Sequence, residues 1–253
     1  MSKRNRMNQP KRTRRNRRSE ASAEDFETFY EPRSVKALEP LEPQNEKQKK
    51  YIQTIKSHTI TFATGAAGTG KTYIAASLAA QALESHRVDR IIVTRPAVEA
   101  GESLGFLPGE LDEKFDPYLQ PFRMVLEERL GKSKVEYLLK SKNIEAIPLG
   151  YLRGRTFRNA FVILDEAQNT TPKQMKMFLT RIGLDATVVV NGDSSQVDIH
   201  GASGLEDAIK RISFLPAVGH VHFTKDDVVR SGIVSEIIQA YDEPVTTSEV
   251  RSW

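Results

Sequence analysis

The chain has 253 residues, 39% of them hydrophobic, with no cysteine and a formal charge of +4. That length supports one sizeable core and excludes a second ordinary domain, and the lack of cysteine excludes disulfides, thiolate zinc sites and a cysteine nucleophile. No apolar run approaches the roughly 18–20 residues that cross a bilayer, and the N-terminus lacks the apolar core of a secretory leader, so a cytoplasmic protein without a membrane partner is expected.

Residues 1–18, MSKRNRMNQPKRTRRNRR, hold nine Lys or Arg and no acid, so the other 28 basic residues face 33 acidic ones. The positive charge belongs to this tail. Too few apolar side chains offset its ordering, and it reads as disordered. A phosphate-binding arm and a solvated tail with little role both suit it. Residues 19–43 are acidic and proline-spaced and read as a linker or lead-in.

From about residue 44 to 243 short apolar runs alternate with amphipathic segments, and residues 244–253 read as a C-terminal tail. The runs HTITFAT (58–64), RIIVTRP (90–96), AFVILDE (160–166), ATVVVNGD (186–193) and GHVHFT (219–224) are β-branched and nearly continuous in apolar residues. Strands look like this when both faces of a parallel sheet are covered. IEAIPLG (144–150) is a sixth candidate despite Pro148. The clearest helix is TTPKQMKMFLTRIG, with Thr170 or Thr171 as N-cap, Pro172 in the first turn and Gly183 past the end. Met175, Phe178, Leu179 and Ile182 form its apolar stripe. The alternation predicts a single α/β domain, a mostly parallel sheet flanked by helices with right-handed crossovers.

GAAGTGKT (65–72) follows the first strand and opens a helix, the placement a phosphate-binding loop requires. Gly65, Gly68 and Gly70 let the backbone N–H groups converge on phosphates, and the helix adds the positive end of its dipole. Lys71 is expected to reach the β- and γ-phosphates, and the Thr72 hydroxyl to coordinate Mg²⁺. The metal also needs an acid at the end of a neighbouring strand. FVILDEAQ supplies Asp165 for magnesium, through water, and Glu166 to polarise an attacking water. An acid directly after the metal-binding aspartate favours hydrolysis over phosphorylation of a small acceptor.

VVVNGDSSQVD ends in Asn191, Asp193 and Gln196, polar groups at the carboxyl end of a strand beside the loop strand. Gln196 is a candidate to sense the γ-phosphate or place the water; a plain turn is an equally natural reading of NGDSS. TKDD (224–227) matches a guanine-recognition pattern, but the expected D-x-x-G is replaced by DEAQ, which argues against GTP. His220 and His222 share a strand face without an evident third ligand and read as structural. YLRGRTFR (151–158) sets Arg153, Arg155 and Arg158 beside Tyr151 and Phe157, a combination suited to single-strand phosphates and stacked bases or simply to a solvated basic loop.

TRPAVEAGESLGFLPGELDEKFDPYLQPF (94–122), GYLRGRTFRNAFVILDEAQNTTPKQMKMFLTRIG (150–183), VVVNGDSSQVD and DDVVRSGIVSEIIQAY together resemble the PhoH-like proteins, in consistent order over about residues 44–242. The resemblance implies a RecA-like P-loop NTPase domain, kin to the first motor domain of superfamily 1 helicases, with ATP and Mg²⁺ as cofactors. It marks Gly65, Ala66, Ala67, Gly68, Thr69, Gly70, Lys71, Thr72 and Tyr73 as nucleotide-binding, with Gln48 reading adenine. Lys71, Asp165, Glu166, Gln196 and Arg230 take catalytic roles, and Thr72 and Asp165 hold the metal. Thr94, Arg95 and Pro96 stand where helicase-like domains meet a nucleic-acid strand, and the glycines and prolines that follow predict an ordered loop or insertion, either a contact with substrate or subunit or a purely structural loop.

The function expected is an ATPase acting on RNA or single-stranded DNA. An ATP-dependent oligomerising switch is the alternative, and a kinase a third. One RecA-like domain lacks the arginine that a second would supply, so Arg230 acts either on its own site or in a neighbour's. Head-to-tail contacts that close make rings, so a homo-oligomer is expected, with a hexameric ring as its closed form.

Overall fold

The computed structural model describes residues 40–96 and 111–229, together with Ile237, and for 111–118 the backbone alone. The basic tail 1–18, nearly all of the lead-in 19–43, the glycine- and proline-rich stretch 97–110, Arg230 and the tail 244–253 lie outside the described residues.

Among the described residues the main helices and strands follow in chain order: α1 (Glu46–Ser57), β1 (Ile60–Gly65), α2 (Lys71–Glu84), β2 (Arg90–Arg95), α3 (Leu111–Leu130), α4 (Lys132–Lys140), β3 (Ile144–Pro148), β4 (Ala160–Leu164), α5 (Pro172–Leu179), β5 (Ala186–Gly192), α6 (Gly204–Ile212) and β6 (Val218–Phe223). The strands form one sheet in the order β3-β2-β4-β5-β1-β6, and every pairing is parallel. The IEAIPLG candidate is an edge strand, β3, whose Pro148 ends it opposite Arg95. A proline costs no ladder bond there.

Continuous apolar runs arise because each strand feeds two cores. Along β4, Phe161 and Ile163 pack with α1, α2, α3 and α4, whereas Val162 and Leu164 pack with α5 and α6. Helix α5 begins as its sequence dictates. The Thr171 hydroxyl accepts from Gln174 N, and the Gln174 side chain accepts from Thr171 N, closing a capping box with Pro172 at the first turn. Met175 and Phe178 are buried beneath it.

The sheet order corrects one expectation. Strand β4, which carries the acids, is not next to β1; β5 lies between them. The polar end of β5 is therefore flanked by the glycine-rich loop after β1 on one side and the acids on the other. That is the crevice beyond the carboxyl ends of a parallel sheet where ligands bind. TKDD forms a closed turn after β6, in which the Asp227 carboxylate accepts from both the backbone N and the hydroxyl of Thr224, at 2.7 and 2.9 Å.

Candidate active site

The loop after β1 curls through three glycines at positive φ: Gly65 at 124°, Gly68 at 80° and Gly70 at 85°. Gly65 is fixed by contact as well as by conformation, because a Cβ there would collide with the Phe223 carbonyl oxygen on β6. Gly65→Ala is expected to lose about 2–5 kcal/mol of stability, from strain and overpacking together, readable as a lower urea midpoint. Thr69 is fully buried and its hydroxyl donates to the Ala66 carbonyl at 3.0 Å, bracing the crown of the loop.

Gln48 supports the loop from α1. It is 5% exposed, donates from Nε2 to the Thr69 carbonyl at 3.1 Å, and accepts at Oε1 from Gln44 N at 2.9 Å. Both ends of the amide expected to read adenine are thus engaged by the chain itself. Val229 N donates to the Gly68 carbonyl at 3.0 Å, so the segment after β6 is also stitched to the loop.

Lys71 opens α2 and turns back over the loop, donating to the carbonyls of Gly65 at 2.6 Å and Ala66 at 2.7 Å. Burial pulls its ammonium below the usual lysine range, while Asp193, Asp165 and Glu166 oppose that shift. The neighbouring Thr72 hydroxyl donates to Asp165 Oδ1 at 3.5 Å, although these residues come from different elements.

Asp165 is nearly buried at the end of β4, and burial pushes its carboxyl above the ordinary range against the opposing charge of Arg95. Arg95 donates to Asp165 Oδ2 from Nε at 3.1 Å and Nη2 at 2.5 Å. The arginine expected at a nucleic-acid strand is therefore placed on Asp165. Glu166 takes a left-handed conformation, φ 52°, a cost a non-glycine residue carries where a site needs the side chain aimed.

Sequence reasoning missed Gln168, which ties the strand ends together. It is 1% exposed. Its Nε2 donates to Glu166 Oε2 at 2.8 Å and to the Gln196 carbonyl at 3.1 Å, and its Oε1 accepts from Asp193 N at 3.0 Å. The available signal was a glutamine two residues after Glu166 in DEAQ. Asp193 Oδ1 accepts from Ser195 N and Oγ, whereas the buried Oδ2 has no hydrogen-bond partner among the described residues. Asn191 lies deeper and accepts from the Tyr51 hydroxyl at 2.7 Å.

A cleft of about 260 Å³ unites these groups. Ala67, Gly68, Gly70, Lys71, Thr72 and Tyr73 line one wall, Asp165 and Glu166 a second, and Gly192, Asp193 and Gln196 the floor between them. The donor set fits a magnesium-bound polyphosphate: hard oxygens on Thr72 and Asp165, a lysine, loop N–H groups and the unpartnered Asp193 Oδ2.

The basic cluster at 151–158 does not converge in this way. Arg155 donates from Nη2 to both carboxylate oxygens of Glu145 at 3.0 Å. Arg158 lies near Gly183, two residues before β4 begins, at the sheet end away from the cleft. Of the side chains proposed to meet a strand, Tyr151 and Arg153 remain exposed near the carboxyl end of β3. His220 and His222 both contact the Thr64 hydroxyl, at 2.9 and 3.0 Å, which accounts for the pair.

The family described as PhoH-like protein matches residues 40–242. Protein PhoH of Escherichia coli (strain K12) is 52% identical over 195 residues, which are 76% of this chain and 55% of that protein. The PhoH-like protein of Synechocystis is 48% identical over 201 residues, 79% of this chain and 61% of its own length. That of Bacillus subtilis is 48% identical over 196 residues, 77% and 61% respectively. The chain thus spans little more than half the length of these relatives. Among solved structures, the large terminase of a thermophilic bacteriophage aligns with 81% of this chain and 52% of that one, at 14% identity and a TM-score of 0.48.

Proposed function

Because this chain belongs to the PhoH-like protein family, we propose that it binds ATP with magnesium at the β1 loop and hydrolyses it. The observation that carries the reading is convergence: Lys71, Asp165, Glu166 and Gln196, drawn from three strand ends, line one cleft. The loop N–H groups and Lys71 hold the phosphates and offset the charge that develops as the γ-phosphoryl group leaves. Thr72 and Asp165 hold magnesium, which when bound neutralises phosphate charge. Glu166 polarises the attacking water, and Gln168 fixes that carboxylate relative to Gln196.

Arg230 is the proposed arginine of the transition state. It acts at its own site or in that of a neighbouring subunit of a homo-oligomer, and sedimentation with ATP and magnesium, run beside the turnover assay, distinguishes the two.

Coupling to RNA or single-stranded DNA extends the proposal. It is supported by the nine basic residues of 1–18 and by Tyr151, 59% exposed beside Arg153. Phosphate release is expected to rise when single-stranded RNA or DNA is added at low salt, and Tyr151→Ala is expected to cost about 1–3 kcal/mol of strand binding. Release unchanged by any nucleic acid would leave an ATPase without this coupling and favour the nucleotide-dependent switch.

A further inference from the structure

Arg95 is a cation that the sequence assigned outward and the fold turns inward. Its position is set by the backbone. Strands β2 and β4 pair in parallel with Thr94 opposite Leu164, and Asp165 N donates to the Thr94 carbonyl at 2.9 Å. The next residue on each strand, Arg95 and Asp165, therefore leaves the sheet side by side. The guanidinium is held on further sides by the buried Phe122 ring, 6.0 Å from its carbon, and by Glu166 Oε1 at 3.9 Å. With a side chain 17% exposed, Arg95 is packed into the site.

The two oxygens of Asp165 have different partners. Both arginine donors converge on Oδ2, at 3.1 and 2.5 Å, while Oδ1 faces the Thr72 hydroxyl at 3.5 Å. We propose that Arg95 is the positioning residue of the metal acid, gripping Asp165 by Oδ2 so that Oδ1 is presented towards Thr72. Arginine suits the task because its rigid fork fixes a carboxylate's orientation, whereas a lysine offers only a point charge. Groups that hold a metal-ligating carboxylate from behind set metal affinity, and their removal costs about 10–100-fold. The alternative geometry, an arginine that stands in for the metal and must leave, would have its donors on the oxygen facing Thr72.

This inference rests on the ATPase reading, and one experiment separates the two. A fluorescent, non-hydrolysable ATP analogue is titrated into the whole chain in EDTA, and then magnesium is titrated at fixed nucleotide, for the wild type, Arg95→Gln and Arg95→Lys. Arg95→Gln is expected to raise the half-maximal magnesium concentration about 10–100-fold while leaving affinity in EDTA unchanged. Arg95→Lys recovers part of the loss. An unshifted or lowered magnesium midpoint in Arg95→Gln overturns the proposal, the lowered one by showing that arginine and metal compete. Equal losses with and without magnesium also overturn it, by reducing Arg95 to a structural role. If Arg95→Gln does not fold, Arg95→Lys decides, a raised midpoint supporting the proposal and an unchanged one contradicting it. A wild type that binds no nucleotide in either condition defeats the ATPase reading itself.

Discussion

Alanine in place of Lys71 is expected to lower phosphate release by about 10²–10³-fold or more. The ammonium is enclosed by the Gly65 and Ala66 carbonyls and sees Asp193, Asp165 and Glu166 across the cleft. Without it three carboxylates face an incoming polyphosphate with only loop N–H groups and the metal to offset them. Nucleotide affinity should therefore fall along with turnover. A fluorescent-nucleotide titration beside the phosphate assay reads both losses, and full turnover in Lys71→Ala would place the chemistry elsewhere.

Glu166→Gln is expected to separate the two quantities. Glutamine has the same shape and still offers an oxygen to Gln168 Nε2, which now bonds Glu166 Oε2 at 2.8 Å. The cleft should bind nucleotide as before. What is lost is the carboxylate proposed to draw a proton from water, a contribution of about 10²–10⁴-fold in rate. Single-turnover phosphate release should be slowed by that factor at unchanged nucleotide affinity. A comparable loss of affinity would show that Glu166 serves binding instead of the water.

The strands were legible in the sequence because two-sided burial leaves the same mark on each of them. Even β3 showed through Pro148, since an edge strand tolerates a proline at its end. Lys71, Thr72, Asp165 and Glu166, expected from residue type and place beside strand ends, do line one cleft. Helix α3 was obscured by Pro117 and Pro121 within Leu111–Leu130, residues that read as breaks. The order of the sheet was only partly visible: the strand VVVNGD was placed beside β1, as it is, but so was FVILDE, which is not. Both are continuous apolar runs ending in acid, and that shared pattern does not show that only one of them can adjoin β1 on that side.

The hidden part of that order decided the second layer of the site. Arg95 was assigned to a nucleic-acid strand because it ends β2, but pairing of β2 with β4 sets it on Asp165. Gln168 escaped notice for the same reason. Its role exists only because β5 brings Asp193 and Gln196 beside the turn after β4. The arginines of 151–158 are separated by a segment that runs from the end of β3 back to the start of β4: Arg153 stays exposed beside Tyr151, whereas Arg155 pairs with Glu145.

The central claim is that this cleft hydrolyses ATP. The most direct test is a single-turnover reaction with γ-labelled ATP and an excess of the whole chain, with and without magnesium. The proposed chemistry predicts that the label appears as inorganic phosphate, only with magnesium present, and that the reaction nearly stops in Glu166→Gln. Label that stays in bound ATP, or that moves to the protein or another acceptor in place of water, would contradict it.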